Sequence, residues 1–193
     1  MRWMRKLAAA AWTCICILVG APATGETMAE RLPLCLACHG EKGTSETPEI
    51  PSLGGQPASY LLIQLYQFRE KQRIAEPMNE LTKDFTDDDL RTYSDELAKL
   101  TPPAPPSDAD PAKFEQGRAA AGKYRCGFCH NPDLSGHDQI GRIGNQREDY
   151  LLKALRGYKS GDRQGYDPAM AEVAQELSED DIAAIAHYVA HFR

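Results

Sequence analysis

The sequence predicts an all-α protein built from two tandem units joined by a proline-rich linker. Three observations carry that prediction. The string Cys-x-x-Cys-His occurs twice, as Cys35-Leu36-Ala37-Cys38-His39 and as Cys126-Gly127-Phe128-Cys129-His130, 91 residues apart. Around each copy apolar residues recur at helical spacing, and no run alternates apolar with polar residues as a half-buried strand would. Between the copies lies Thr101-Pro102-Pro103-Ala104-Pro105-Pro106, whose prolines cannot continue a helix and favour an extended, stiff segment.

The first 23 residues read as an export signal. Arg2, Arg5 and Lys6 form a basic start, Leu7 to Val19 an apolar run of 13 residues, and Ala21-Pro22-Ala23 a cleavage site. The run is short of the roughly 20 residues a membrane-crossing helix needs, so no permanent span is expected after cleavage. An uncleaved anchor is the alternative. Cys14 and Cys16 leave with the signal, and the compartment implied is the periplasm. The remainder divides into a first unit at 24–101, a linker at 102–106 and a second unit at 107–193.

The units align beyond their cysteines. Gly54-Gly55-Gln56-Pro57-Ala58-Ser59-Tyr60-Leu61-Leu62 matches Gly144-Asn145-Gln146-Arg147-Glu148-Asp149-Tyr150-Leu151-Leu152 at an offset of 90. Leu61, Leu65 and Phe68 then fall on one helix stripe, as do Leu151, Leu155 and Tyr158. Thr86 and Ser178, each followed three residues later by Asp89 or Asp181, read as N-caps of a closing helix. Those helices carry Leu90, Tyr93, Leu97 and Leu100 in one unit and Ile182, Ile185, Val189 and Phe192 in the other. Asp110-Pro111 opens the second unit with a cap and an N-terminal proline. In the first, Pro33 should shorten or distort the helix leading to Cys35.

Cys-x-x-Cys-His is the attachment pattern of c-type haem. Two thiols at this spacing can form thioethers with the haem vinyl groups while the adjoining imidazole ligates the iron. A zinc half-site or a dithiol redox pair would use the cysteines but leave both histidines and the duplication unexplained. Two covalently attached haem c groups are therefore expected, through Cys35 and Cys38 and through Cys126 and Cys129, with His39 and His130 on the metals. Units of about 80 residues bury a limited core alone, so each should depend on its cofactor to fold.

The second axial position decides between electron carrier and catalyst. Met78 follows His39 by 39 residues and Met170 follows His130 by 40, each in what reads as a loop before the closing helix, so the two are repeat-equivalent candidates. Gap-filling core methionines are the alternative. Met28 has no counterpart. His137, His187 and His191 are unmatched in the first unit; the last two, four residues apart, suit a solvated helix face or a surface metal.

Taken together, these residues resemble the di-haem cytochrome c4 family, two fused class I cytochrome c-like domains. The resemblance spans nearly all of residues 24–193 and rests on the paired haem motifs, the Gly-Gly-Gln-x-x-x-Tyr-Leu block, Phe68-Arg69 with Arg73, and the run Leu177 to Ile182. It implies His39 and Met78 on one iron and His130 and Met170 on the other, with haem edges facing each other across the domain interface. It also implies that Pro51 offers its carbonyl to the proximal histidine. The second unit has Gly141 there, which keeps the carbonyl and loses the rigidity. Arg73 and Arg163, near Tyr66 and Tyr158, are candidates for the haem propionates, with surface solvation as the competing reading.

The net charge of -6 becomes -9 without Arg2, Arg5 and Lys6, which excludes nucleic acid as a partner class. The implied function is single-electron transfer between a respiratory donor and a terminal oxidase or reductase, with no substrate transformed. The partners are redox proteins, including a membrane-bound oxidase or dehydrogenase. A cytochrome subunit of a larger dehydrogenase is the alternative, and a di-haem peroxidase would need an exchangeable iron position.

Overall fold

A computed structural model describes residues 28–193; the expected export signal at 1–23 lies outside the described residues. The first domain comprises α1 (Met28–His39), α2 (Ala58–Arg69), α3 (Glu76–Thr82) and α4 (Asp87–Ala98). The second comprises α5 (Pro111–Lys123), α6 (Cys126–Cys129), α7 (Glu148–Ser160), α8 (Ala169–Glu176) and α9 (Glu179–Ala190). No strand occurs among the described residues, and residues 102–106 carry no helix.

The caps form as the sequence requires. Thr86 and Ser178 each accept a hydrogen bond from the amide three residues on, while Asp89 and Asp181 accept from the cap residue's own amide at 2.9 and 3.2 Å. Such reciprocal boxes satisfy orphan donors at both helix starts. These bonds hold the Asp89 and Asp181 carboxyls below the ordinary carboxylate range. Asp110 accepts from the amides of Ala112 and Lys113, and Pro111 occupies the first turn of α5.

The predicted stripes face inward. Leu61, Leu65 and Phe68 are buried, as are Leu90, Tyr93 and Leu97. In the second domain Leu151, Ile182, Ile185 and Val189 form one apolar cluster with Ala120, Ala121 and Leu177. Here α5 crosses α9 at close range, and Gly117 is what permits it: a Cβ there would stand 2.0 Å from the Ala184 carbonyl oxygen. In the first domain α1 meets α4 through Arg31, which pairs with Asp89 at 3.2 Å and lies over the stacked rings of Phe85 and Tyr93.

Two expectations are corrected. Helix α1 runs through Pro33 to His39, and the interruption falls instead in the second domain, at Tyr124 and Arg125 between α5 and α6. Met78 and Met170 do not stand in loops: each sits near the start of a short helix, α3 or α8. Prolines at the N-terminus of each, Pro77 and Pro168, are compatible with a helix start because the first-turn amides have no intrahelical partner.

Candidate haem sites

His39 and His130 are both buried, at the C-terminal ends of α1 and α6. His39 Nδ1 donates to the Pro51 carbonyl at 2.7 Å, and His130 Nδ1 donates to the Gly141 carbonyl at the same distance. A carbonyl only accepts, so the proton is on Nδ1 and the Nε2 lone pair is left for a metal. Burial lowers the pKa of both imidazoles, partly offset by the carbonyl bond, which favours the neutral form a metal needs. The bond also fixes ring orientation and raises ligand basicity.

The Gly141 departure has a reason across the interface. A Cβ at Gly141 would lie 2.9 Å from two ring atoms of Tyr60, a first-domain residue. The backbone there is approached too closely for any side chain, yet its carbonyl still serves His130.

Cys35 and Cys126 are half-buried and Cys38 and Cys129 exposed, so each motif presents one thiol inward and one outward. Met78 and Cys35 both border the cluster of Leu65, Leu90 and Tyr93, which brings these two candidate ligating residues to one apolar core. Met170 is half-buried and stands outside the main second-domain cluster. Ile74 and Leu81, flanking Met78 in sequence, are 65% and 49% exposed.

The polar groups at the interface fit a dianionic macrocycle. Arg73 and Arg163 have no carboxylate partner among the described residues; Arg73 donates to Tyr150 Oη at 3.1 Å, and Arg163 donates to Tyr150 Oη at 2.9 Å and to Tyr60 Oη at 3.4 Å. Burial raises the Tyr150 pKa, but the two guanidiniums outweigh it and bring the hydroxyl down to about 7. Burial and the neighbouring Tyr150 push Tyr60 up to about 12. Arg142 also has a buried Nε without a hydrogen-bond partner. Arg73 and Arg163, brought together through Tyr150 without a carboxylate, are what propionates would complete. Tyr158 does lie beneath Arg163, at 4.8 Å, but Tyr66 pairs with Arg69 rather than Arg73.

His187 and His191 are not on a solvated face; both are buried. Their ligand atoms and that of Glu148 lie within 4.8 Å of one another. Both nitrogens of His187 are already engaged, Nδ1 donating to Glu148 at 2.8 Å and Nε2 accepting from the Asp110 amide at 3.0 Å. His191 Nδ1 donates to the His187 carbonyl. The cluster ties α9 to α7 and to the start of α5. Single-residue reading missed this because burial of an i, i+4 histidine pair depends on what packs over it. His137 is exposed beside Asp138, in the loop after α6.

A cytochrome c family model matches residues 114–193. Cytochrome c4 of Pseudomonas aeruginosa is 32% identical over 81% of this chain and 82% of its own length. The structure of reduced cytochrome c4 from Pseudomonas stutzeri superimposes with a TM-score of 0.77 at 29% identity, covering 88% of this chain and all of that one. A thiosulfate dehydrogenase electron acceptor from Thiomonas intermedia is 29% identical over 97% of this chain and 91% of its own. Two haem-attachment motifs, a helical two-domain fold and identity over most of both sequences converge: the chain carries covalently bound haem c and belongs to the cytochrome c4 family of electron-transfer proteins.

Proposed function

We propose that this chain is a periplasmic di-haem shuttle, exported by residues 1–23 and organised as domains at 24–101 and 107–193. In this reading Cys35 and Cys38, and Cys126 and Cys129, form the thioethers; His39 and Met78 ligate one iron, His130 and Met170 the other. The observation that carries it is the matched pair of Nδ1-to-carbonyl bonds, each leaving Nε2 free beside its own thioether motif.

When bound, haem supplies an iron that cycles between ferrous and ferric states. The protein's part is to hold both states with little rearrangement. His39 and His130 stay neutral and fixed in one tautomer, methionine sulfur favours the reduced iron, and Arg73, Arg142 and Arg163 offer cationic donors to propionates. No helix among the described residues is long and apolar enough to cross a membrane, which suits a diffusing carrier.

Spectra of reduced and oxidised protein before and after Met78→Ala and Met170→Ala test the reading. Each variant should lose half of the weak sulfur-to-iron band and lower one midpoint by on the order of 0.1 V, a fraction of the ~0.8 V range axial ligands span. Full retention of the band in either variant would remove that methionine from the ligand set. A second reading, an electron-accepting partner of a dehydrogenase, is favoured by the likeness to the thiosulfate dehydrogenase electron acceptor. Co-purification with a second redox subunit would select it.

A further inference from the structure

Gln56 and Gln146, repeat-equivalent and both buried, each reach across the domain interface. Gln146 Oε1 accepts from the Ser52 amide at 2.8 Å while its Nε2 donates to the Ser52 carbonyl at 2.9 Å. Gln56 repeats the pattern in the opposite direction: Oε1 accepts from the Arg142 amide and Nε2 donates to the Arg142 carbonyl, both at 2.9 Å. The clamped amides belong to particular peptide units. The Ser52 N–H shares its peptide with the Pro51 carbonyl that accepts from His39, and the Arg142 N–H shares its peptide with the Gly141 carbonyl that accepts from His130.

Each chain of contacts therefore runs from imidazole Nδ1–H to a carbonyl, through one amide, and from its N–H to a glutamine of the other domain. Hydrogen bonds in series polarise one another. An acceptor on the N–H places more negative charge on the carbonyl oxygen, which makes it a stronger acceptor for the imidazole proton. A histidine whose Nδ1 proton is held more firmly is a more basic ligand and stabilises the oxidised metal.

We propose that Gln56 and Gln146 are crossed positioning residues: each sets the potential of the iron in the domain to which it does not belong. Gln146 acts on the His39 iron and Gln56 on the His130 iron. The inference rests on His39 and His130 being the proximal ligands. It gives the interface a role beyond docking, since a separation of the domains would release both peptides.

The test is a domain-resolved NMR redox titration of the holoprotein, with Gln146→Leu, Gln56→Leu and the corresponding Gln→Glu variants. Gln146→Leu should raise the first-domain midpoint, with about a threefold change in the reduced-to-oxidised ratio, roughly half of the 59 mV that tenfold represents for one electron. The second-domain midpoint should stay in place, and Gln56→Leu should give the mirror result. Glutamate keeps an oxygen on the amide, so both glutamate variants should sit at or below the wild-type midpoint. Amide exchange should quicken at Ser52 in Gln146→Leu and at Arg142 in Gln56→Leu.

A shift in both irons together, in the residue's own domain, or in neither overturns the proposal, as does a glutamate variant that behaves like leucine. If the leucine variants do not accumulate as holoprotein, the glutamate pair decides: a raised midpoint in either defeats the idea. A wild-type spectrum lacking histidine-ligated low-spin iron would instead defeat the underlying ligand reading, independently of any glutamine variant.

Discussion

The first domain leads into its haem motif on one continuous helix through Pro33, while the second stops at Lys123, turns through Arg125 in the left-handed region at φ 57°, and restarts as α6. A left-handed L residue costs about 1–2 kcal/mol. Both routes nevertheless end with a buried histidine 2.7 Å from a carbonyl oxygen. The lead-in can vary because the ligand geometry is fixed downstream, by the loop that supplies the carbonyl and by the helix packed against it. The ways of packing differ too. A cation over aromatic rings joins α1 to α4, whereas α5 and α9 meet through Gly117, Ala120 and Ala121. The buried His187 and His191 have exposed Asp95 and Lys99 at the corresponding positions of the first domain. The second domain thus owes more of its integrity to protein–protein packing, and the first more to what borders Cys35 and Met78.

Core truncation exposes that difference most strongly. Ile182→Ala, at a fully buried site, should cost about 2–5 kcal/mol, and Leu90→Ala a similar amount. A haem-motif cysteine borders each cluster, Cys35 that of Leu90 and Cys126 that of Ile182, but only the first is also bordered by its methionine, Met78. Leu90→Ala should therefore also perturb the sulfur-to-iron band, whereas Ile182→Ala should leave that band unchanged. Thermal unfolding with the spectrum followed in parallel checks both; an altered band in Ile182→Ala alone would reverse the comparison.

The residues that supply the accepting carbonyls come next. Gly141→Ala forces a methyl against the Tyr60 ring and should cost about 1–3 kcal/mol, with the interface loosened. Pro51→Gly relaxes the first loop and should cost about 0.4–1 kcal/mol through the unfolded chain. Equal losses would mean that Tyr60 simply moves aside.

Closing-helix caps should be equivalent in the two domains. Thr86→Ala and Ser178→Ala each remove one half of a capping box, for about 0.5–2 kcal/mol apiece. A clear inequality, measured by chemical denaturation, would show that one closing helix is held chiefly by its packing.

The smallest effect is a pH dependence confined to the second domain. Burial opposes ionisation of Glu148, but hydrogen bonds from Lys113 at 2.7 Å and His187 at 2.8 Å prevail and hold its carboxyl below the ordinary range. A depressed folded-state pKa stabilises fully above the unfolded value of about 4.3 and fades as pH falls through the folded one. Ala58 occupies the equivalent place in the first domain, without a carboxylate. Glu148→Gln should therefore flatten the acid limb of second-domain unfolding and leave the first domain unaltered.

Spacing and periodicity were sufficient for the parts that are local in the chain. Cys-x-x-Cys-His, the paired caps at Thr86 and Ser178, and the inward stripes at Leu61, Leu90 and Ile182 all depend on residues within a turn or two of one another. The repeat also made Met78 and Met170 equivalent. Their placement on short helices, the burial of His187 and His191, and the reason for Gly141 were decided only when segments tens of residues apart came together. The same holds for Gln56 and Gln146, visible as a repeated letter but without meaning until each met the other domain's backbone. A hydrogen bond across 86 or 94 residues leaves no period in the sequence, because tertiary packing, rather than helical geometry, selects its partner.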